Sequence, residues 1–298
     1  MSALEGSGLT GVFAVDKPEG FTSFDVVAKL RGILKTKKIG HGGTLDPMAT
    51  GVLPIFVGKA TRAADLIADK TKRYIATARF GIKTETGDIT GAVLSEGEAL
   101  PDEEELRAAL TRFLGKSSQI PPMYSAVKAN GKRLYELARR GETAERTPRE
   151  IEIFSMTLLE YDREKREFTI DVRCSAGSYI RTLVEDIAAE TGALSTLTAL
   201  RRTASGPFLE GECFDLTAIQ ERTARGVFDF LQPVDSLFLG FRRVLLNEEQ
   251  ERAFLSGVRI PIELLTDEEE TLRVYGCGGF IALAGNDSGR LRAIARFV

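Results

Sequence analysis

The sequence predicts an α+β fold built around a mixed β-sheet, because helical and extended segments are interleaved without a regular βαβ repeat. Its 298 residues, 43% of them hydrophobic and 28% charged, suffice for a large buried core. Beyond Gly240, after the turn-rich segment 233–236, the predicted elements become short strands. We therefore expect a large domain over residues 1–238 and a small β-rich domain over residues 239–298.

The first half of the chain shows both helical and extended periods. Residues 11–15 form an apolar run typical of a strand. Apolar residues recur at helical spacing from Phe24 to Leu34, and Thr22 or Ser23 can cap the helix that they predict. Two further elements are predicted, an alternating strand over 73–82 and an amphipathic helix that opens at Pro101 and ends at Gly115.

The second half continues the same mixture. Strands are predicted over 151–161, 167–174 and 194–208, and a helix over 178–191 ends at Gly192. The tail is predicted to hold a helix over 247–256 and strands over 272–275, 280–284 and 291–298. So small a unit is marginal alone, and we expect it to dock on its neighbour.

The sequence gives no sign of a membrane span, a signal peptide or a disulfide framework. No apolar stretch is long enough to span a bilayer, and the first eight residues lack the pattern of a signal peptide. Cys174, Cys213 and Cys277 are odd in number and far apart, which argues against a disulfide framework or a zinc site. We expect a cytoplasmic protein with no membrane partner.

Charge is distributed unevenly around a net value of −3. Residues 26–45 contain five basic and no acidic side chains, and residues 126–149 contain seven basic side chains against three glutamates. Two positive patches on an acidic protein can follow a phosphate backbone. The alternative, which the charges alone leave open, is that each basic patch is an ordinary solvent-exposed helix face.

One carboxylate, Asp46, lies in a loop of glycines and small hydroxyl residues between Gly40 and Gly51. A carboxylate on such a loop can act as a nucleophile or general base. The alternative is an Asx-turn in which Asp46 only accepts local amide hydrogens. His41 is the one histidine of the chain, so a paired-histidine metal site is excluded and a packing role for it is the simpler reading.

Two more clusters are candidates for ligand binding. Residues 119–128 and 131–135 interleave tyrosines with basic residues, a pattern that suits nucleic acid, although a proline-turned hairpin with a basic helix explains it equally well. Arg181 falls in the first turn of a predicted helix, where the helix dipole disfavours a cation. A carboxylate partner is therefore expected, and Asp46 is a candidate that such pairing would keep ionised. An unpaired surface arginine is the alternative.

These segments together resemble the bacterial TruB family, the tRNA pseudouridine-55 synthases. The resemblance is carried by Lys-Pro-Glu-Gly-Phe-Thr-Ser at 17–23, Gly-His-Gly-Gly-Thr-Leu-Asp-Pro at 40–47, and residues 72–74, 119–128, 174–181 and 200–202. It implies a pseudouridine synthase catalytic domain with a mainly antiparallel sheet flanked by helices. It also implies a small C-terminal PUA-like RNA-binding domain.

The resemblance implies that a uridine in the T-loop of tRNA is flipped out, detached at its N1–C1′ bond and rejoined through C5, without metal or organic cofactor. Asp46 matches the catalytic aspartate, Arg181 its ion-pair partner, and Tyr74 the aromatic residue that stacks on the base and acts in proton transfer. His41, Tyr179 and Leu200 match residues that line the nucleotide pocket, and Asp88 matches a polar residue near it. Whether Asp46 attacks C1′ or abstracts a sugar proton stays open.

RNA contacts are expected along the insertion of about residues 119–149 and at neighbouring basic residues. The expected set is Lys17, Lys128, Lys132, Arg133, Arg139, Arg140, Arg201 and Arg202. The expected partner is the T-arm stem-loop of tRNA, bound by a monomer. Two other functions are considered: a tRNA-binding or RNA-folding module without chemistry, which would not need Asp46, and a sugar hydrolase, which would need a second carboxylate.

Overall fold

The structure is a computed structural model that describes residues 8–129, 131–261 and 270–298. Elements up to residue 138 are β1 (Gly11–Lys17), α1 (Ser23–Ile33), β2 (Ile39–His41), β3 (Thr50–Val57), β4 (Lys72–Phe80), β5 (Ile82–Thr84), β6 (Val93–Glu96), α2 (Glu103–Arg112), β7 (Gly115–Gln119), β8 (Lys128–Ala129), β9 (Lys132–Arg133) and α3 (Leu134–Ala138). Then come β10 (Arg149–Asp162), β11 (Glu167–Cys174), α4 (Ile180–Glu190), β12 (Ser195–Ser205), β13 (Phe208–Leu209), β14 (Cys213–Phe214) and α5 (Leu216–Ala224). The final elements are β15 (Arg242–Leu245), α6 (Glu248–Ser256), β16 (Ile260–Pro261), β17 (Thr271–Gly276), β18 (Gly279–Asp287) and β19 (Arg290–Arg296).

A large mixed sheet organises residues up to about 214. Its strands follow the order β14-β1-β3-β12-β4-β11-β10-β7, with β2 paired to β3 and β13 to β12. Of the described pairings in this sheet, β1–β14 and β3–β12 are parallel and the others antiparallel. The α+β class with a mainly antiparallel sheet is therefore confirmed.

Helices cover two separate parts of the sheet. Helix α1 buries Val26, Val27 and Leu30 against β1 and β3, in a core shared with α5. Helices α2 and α4 bury apolar residues in a second core on β4, β10, β11 and β12. Thr22 caps α1 through a reciprocal pair of hydrogen bonds with Asp25, as the sequence suggested. Phe24 is 62% exposed, so the apolar helical period wrongly included it.

The C-terminal strands form a second sheet, in the order β15-β17-β18-β19-β16. This sheet has its own core, which includes Phe254, Leu272 and Ile281. It also packs on the large sheet through a shared apolar cluster that contains Phe238 and Phe297. The β-rich tail is thus present and docked, while its role as an RNA-binding unit and the boundary at residue 238 stay predictions. No described helix is long and apolar enough to cross a membrane.

Candidate active site

Asp46 lies in the connection between β2 and β3, residues 42–49, which we call the Asp46 loop. The loop is held mainly through its own backbone. Ser23 Oγ accepts from Leu45 N at 2.8 Å, and Gly42 N donates to Pro54 O at 2.9 Å. A Cβ at Gly51 would lie 2.2 Å from the carbonyl oxygen of Arg202, so the strand that follows the loop requires glycine there.

Two buried cations hold the Asp46 loop from below. Lys17 Nζ donates to the carbonyls of Phe21 at 2.6 Å, Pro18 at 2.9 Å and Pro47 at 3.2 Å. Burial lowers the pKa of this lysine to about 8, although the Asp46 carboxylate acts in the opposite direction. Lys17 is fully buried, so its expected contact with RNA phosphates is wrong.

Arg202 acts in the same way from β12. Its guanidinium donates to Val52 O at 2.7 Å, Gly43 O at 3.1 Å and Thr44 O at 3.3 Å, and the side chain is buried. Arg202 also lines the cavity described below, so its expected contact with RNA stays a prediction. The neighbouring Arg201 is half-exposed and pairs with the carboxylates of Asp16 and Glu210, which compensate its charge.

Asp46 and Arg181 form a bidentate ion pair. Arg181 Nε donates to Asp46 Oδ2 at 2.9 Å, and a second guanidinium nitrogen donates to Oδ1 at 3.2 Å. This geometry orients both carboxylate oxygens. Arg181 occupies the first turn of α4, and the pairing explains why a cation is tolerated at that end of the helix. The sequence-based expectation of this pair is confirmed.

Arg181 is in turn fixed by backbone carbonyls. It donates to Thr86 O at 2.5 Å and to Tyr124 O at 2.7 Å, and its side chain is 4% exposed. Asp88 Oδ2 lies 4.0 Å from Arg181 Nε, while Asp88 Oδ1 accepts from the hydroxyls of Thr86 and Thr90. Asp88 is thus a polar residue near the pocket, as the resemblance implied, but it is buried behind Arg181 and does not line the cavity described below, so its part in substrate binding stays a prediction.

Burial raises the pKa of Asp46 above its ordinary value. The Arg181 guanidinium acts in the opposite direction, and the negative charge of Asp88 adds to the rise. Desolvation outweighs the arginine, whereas pairing with Arg181 alone would have kept the pKa low. A carboxylate of raised pKa is more basic than an exposed aspartate, which suits a nucleophile or a base.

A cavity of about 690 Å³ opens beside Asp46. Its lining includes Asp46, Tyr74, Arg181, His41, Tyr179 and Leu200, the six residues that we assigned to catalysis or the pocket wall. Four different parts of the chain supply them: the β2–β3 region, β4, the start of α4, and β12. The structure thus brings together every predicted site residue of this group except Asp88.

The surroundings of Tyr74 and His41 favour the neutral form of each side chain. Burial raises the pKa of Tyr74, which keeps its phenol protonated, while nearby Arg202 has a smaller opposing effect. Burial and Arg202 both lower the pKa of His41, which favours its neutral form. His41 is therefore suited to a wall position and is less suited to donate a proton as imidazolium.

The insertion at 119–149 carries exposed basic residues next to the cavity, whose rim it reaches through Ser125, Ala126 and Val127. The exposed basic residues that match our expectation are Lys132, Arg133, Arg139 and Arg140. The Arg139 guanidinium lies over the Tyr135 ring at 5.7 Å. The side chain of Lys128 lies outside the described part of the structure. Contact of these residues with RNA stays a prediction.

Two residues of the site, Gln119 and Lys72, lie in segments that the sequence singled out but were given no role of their own. Gln119 is buried, and its side-chain amide both accepts from Tyr179 N at 2.7 Å and donates to Tyr179 O at 3.0 Å, which fixes the entry into α4. Lys72 lines the cavity two residues before Tyr74. Alternation along a strand places Lys72 and Tyr74 on one face, a signal that was present in the sequence. Gln119 gave no comparable signal.

Comparison with known sequences agrees with this geometry. A sequence model of the TruB family pseudouridylate synthase N-terminal domain matches residues 31–180, and one of the tRNA pseudouridylate synthase B C-terminal domain matches residues 181–239. The chain belongs to the TruB family of pseudouridylate synthases. The matched segments contain Asp46, Tyr74 and Arg181, and the family is that of an isomerase.

Individual relatives extend over most of the chain. It is 42% identical over 276 residues to tRNA pseudouridine synthase B of Ralstonia pickettii, covering 91% of this chain and 86% of the relative. It is 38% identical over 294 residues to the protein of the same name from Clostridium kluyveri, covering 97% and 100%. A solved Cbf5–Nop10–Gar1 complex contains a similar chain, with a TM-score of 0.71 and 25% identity over 97% of this chain and 85% of that one.

Proposed function

We propose that this protein isomerises uridine to pseudouridine in the T-loop of tRNA, at position 55. The observation that carries the proposal is the bidentate Asp46–Arg181 pair on the wall of a cavity large enough for a flipped nucleotide. Family membership and the names of its relatives support tRNA as the substrate. We further propose that the protein acts as a cytoplasmic monomer on the T-arm stem-loop.

The reaction places few demands on the protein. The N1–C1′ bond breaks, the base turns and C5 bonds to C1′. A proton leaves C5 and a proton is taken up at N1, so substrate and product have the same atoms. Asp46 supplies the one group that must react, either by attack on C1′ or by removal of a sugar proton. Arg181 orients the carboxylate in both routes. We propose that the reaction proceeds without a cofactor.

Access to the glycosidic bond requires that the base leave its stack, at a cost of a few kcal/mol. Tyr74 lines the cavity, and we propose that its ring stacks on the flipped base, which would contribute about 1–3 kcal/mol. His41, Tyr179 and Leu200 complete the wall. A sugar hydrolase would need a second carboxylate across the scissile bond from Asp46. Asp88 is buried behind Arg181, and the other carboxylates of the cavity lining, Asp65 and Asp69, belong to solvent-exposed residues of the segment before β4.

The test is to incubate the purified protein with an unmodified tRNA transcript and to map pseudouridine along it. We expect product at position 55 alone, in buffer with a chelator and no added cofactor. A transcript with cytidine at position 55 is the matched control and should give none. Tight binding of the transcript without any product would contradict the proposal and favour a binding module.

A further inference from the structure

Lys72 lies on the wall of the cavity, and none of the roles assigned above uses it. It begins β4, where alternation puts Lys72 and Tyr74 on one face and Arg73 on the other. Lys72 Nζ donates to Ser205 Oγ at 2.9 Å, and Ser205 also lines the cavity. Lys72 Cε is 3.7 Å from the position that a Cβ on Gly43 would take, so the lysine lies beside the Asp46 loop.

The charge of Lys72 has little compensation. Among the described residues no carboxylate forms an ion pair with it. Four groups from three elements act on it: Arg202 on β12, Asp69 and Lys70 in the segment before β4, and Cys174 on β11. Burial, together with Arg202, lowers the pKa of Lys72 to about 8, whereas Asp69 raises it. An incoming anion would stabilise this ammonium, which is otherwise costly to bury.

We propose that Lys72, together with Ser205, binds a phosphodiester oxygen of the nucleotide that enters the cavity. The ligand class is an RNA backbone phosphate, so the proposal rests on the proposed function. An ammonium is a compact point charge that binds phosphate oxygens well. Ser205 Oγ accepts from Lys72 and has its own hydrogen left to donate to the same oxygen.

Lys72 differs from Lys17 and Arg202 in its hydrogen-bond partners. Those cations are buried and donate to three backbone carbonyls each. Lys72 faces an open cavity and, among the described residues, donates to one hydroxyl. All three ammonium hydrogens of Lys17 have carbonyl partners, and three of the five N–H groups of Arg202 do, whereas Lys72 keeps two ammonium hydrogens without a described partner that can bind a ligand in the cavity.

The direct test uses T-arm oligonucleotides with a single neutral methylphosphonate on the 5′ or the 3′ side of the target uridine. In the wild-type protein we expect one of the two replacements to raise KM about tenfold, as for one lost charged hydrogen bond. Lys72→Met should raise KM for the unmodified oligonucleotide by a similar factor and leave kcat within about twofold. In Lys72→Met the sensitive methylphosphonate should have no additional effect.

A second arm uses pH. Since a neutral amine binds phosphate poorly, the wild-type KM should rise as pH passes above about 8. Lys72→Arg stays charged over this range, so its KM should vary less. The matched control is Arg73→Met, because Arg73 is exposed, pairs with Asp171 and lies on the other face of β4. Its KM and its pH profile should equal those of the wild type.

The outcomes separate this proposal from the proposed function. A wild-type protein that forms no pseudouridine in the unmodified oligonucleotide contradicts the proposed function. If the wild type is active, two results overturn the role of Lys72. One is an unchanged KM in Lys72→Met. The other is full additivity of the KM increases caused by Lys72→Met and by the methylphosphonate. Should Lys72→Met fail to fold, the pH profiles decide, and identical profiles for the wild type and Lys72→Arg overturn it.

Discussion

The Asp46 loop and the insertion at 119–149 border the same cavity, yet they use basic residues in opposite ways. Around the Asp46 loop, Lys17 and Arg202 are buried and donate to backbone carbonyls. In the insertion, Lys132, Arg133, Arg139 and Arg140 are exposed. The difference teaches that burial, more than charge, decides whether a cation supports the reactive loop or remains available to RNA.

Burial of these cations costs free energy, because each charge loses hydration. Lys17 loses hydration, which lowers its pKa to about 8, and no described carboxylate forms an ion pair with it. Its three carbonyl partners offset part of that cost. The hydrogen bond from Lys17 to the Pro47 carbonyl fixes the backbone next to Asp46. The exposed cations of the insertion keep most of their hydration and do not carry this cost.

The largest predicted effect separates chemistry from binding. Asp46→Asn keeps the shape of the side chain but removes its basicity, so we expect single-turnover isomerisation to fall by about 1000-fold or more. The exposed cations are untouched, so tRNA affinity should stay within about threefold. Rapid-quench kinetics measure the single-turnover rate, and filter binding on the same preparation measures the tRNA affinity. Substantial activity in Asp46→Asn would contradict the catalytic role of Asp46.

The next prediction concerns the ion pair and its pH dependence. Removal of the guanidinium in Arg181→Ala disfavours the charged carboxylate, so the already raised pKa of Asp46 should rise further. If the ionised form reacts, the acid limb of the activity profile then moves to higher pH. Arg181→Lys keeps the charge and should move the limb less. Equal apparent pKa values in the wild type and both variants would show that the pair does not tune Asp46.

Much of the site was accessible from the sequence because its residues break local rules. Arg181 stands at the unfavourable end of a helix, and that conflict required an anion, which proved to be Asp46. Helix α4 was expected over 178–191 and runs from Ile180 to Glu190, since the backbone at Tyr179 is still extended. Boundaries therefore shifted by up to about three residues while these elements persisted.

Other features depended on tertiary packing. Strand β3 was missed because its residues from Val52 to Val57 are buried on both faces and show no alternation. Lys17 was misassigned because a sequence reveals charge but does not reveal solvent exposure. Gln119 was missed because its partner, the backbone of Tyr179, is distant in sequence and has no side-chain signature.

The most direct test of the division between buried and exposed cations compares Arg202→Met with Lys132→Met by urea unfolding and by tRNA binding at several salt concentrations. Arg202→Met leaves three carbonyls without their donor, so we expect a loss of about 2–4 kcal/mol in the free energy of unfolding. Lys132→Met should leave unfolding unchanged, weaken tRNA binding a few-fold, and reduce the salt slope by about one. The reverse pattern, a stable Arg202→Met with a reduced salt slope and an unaffected Lys132→Met, would contradict the account.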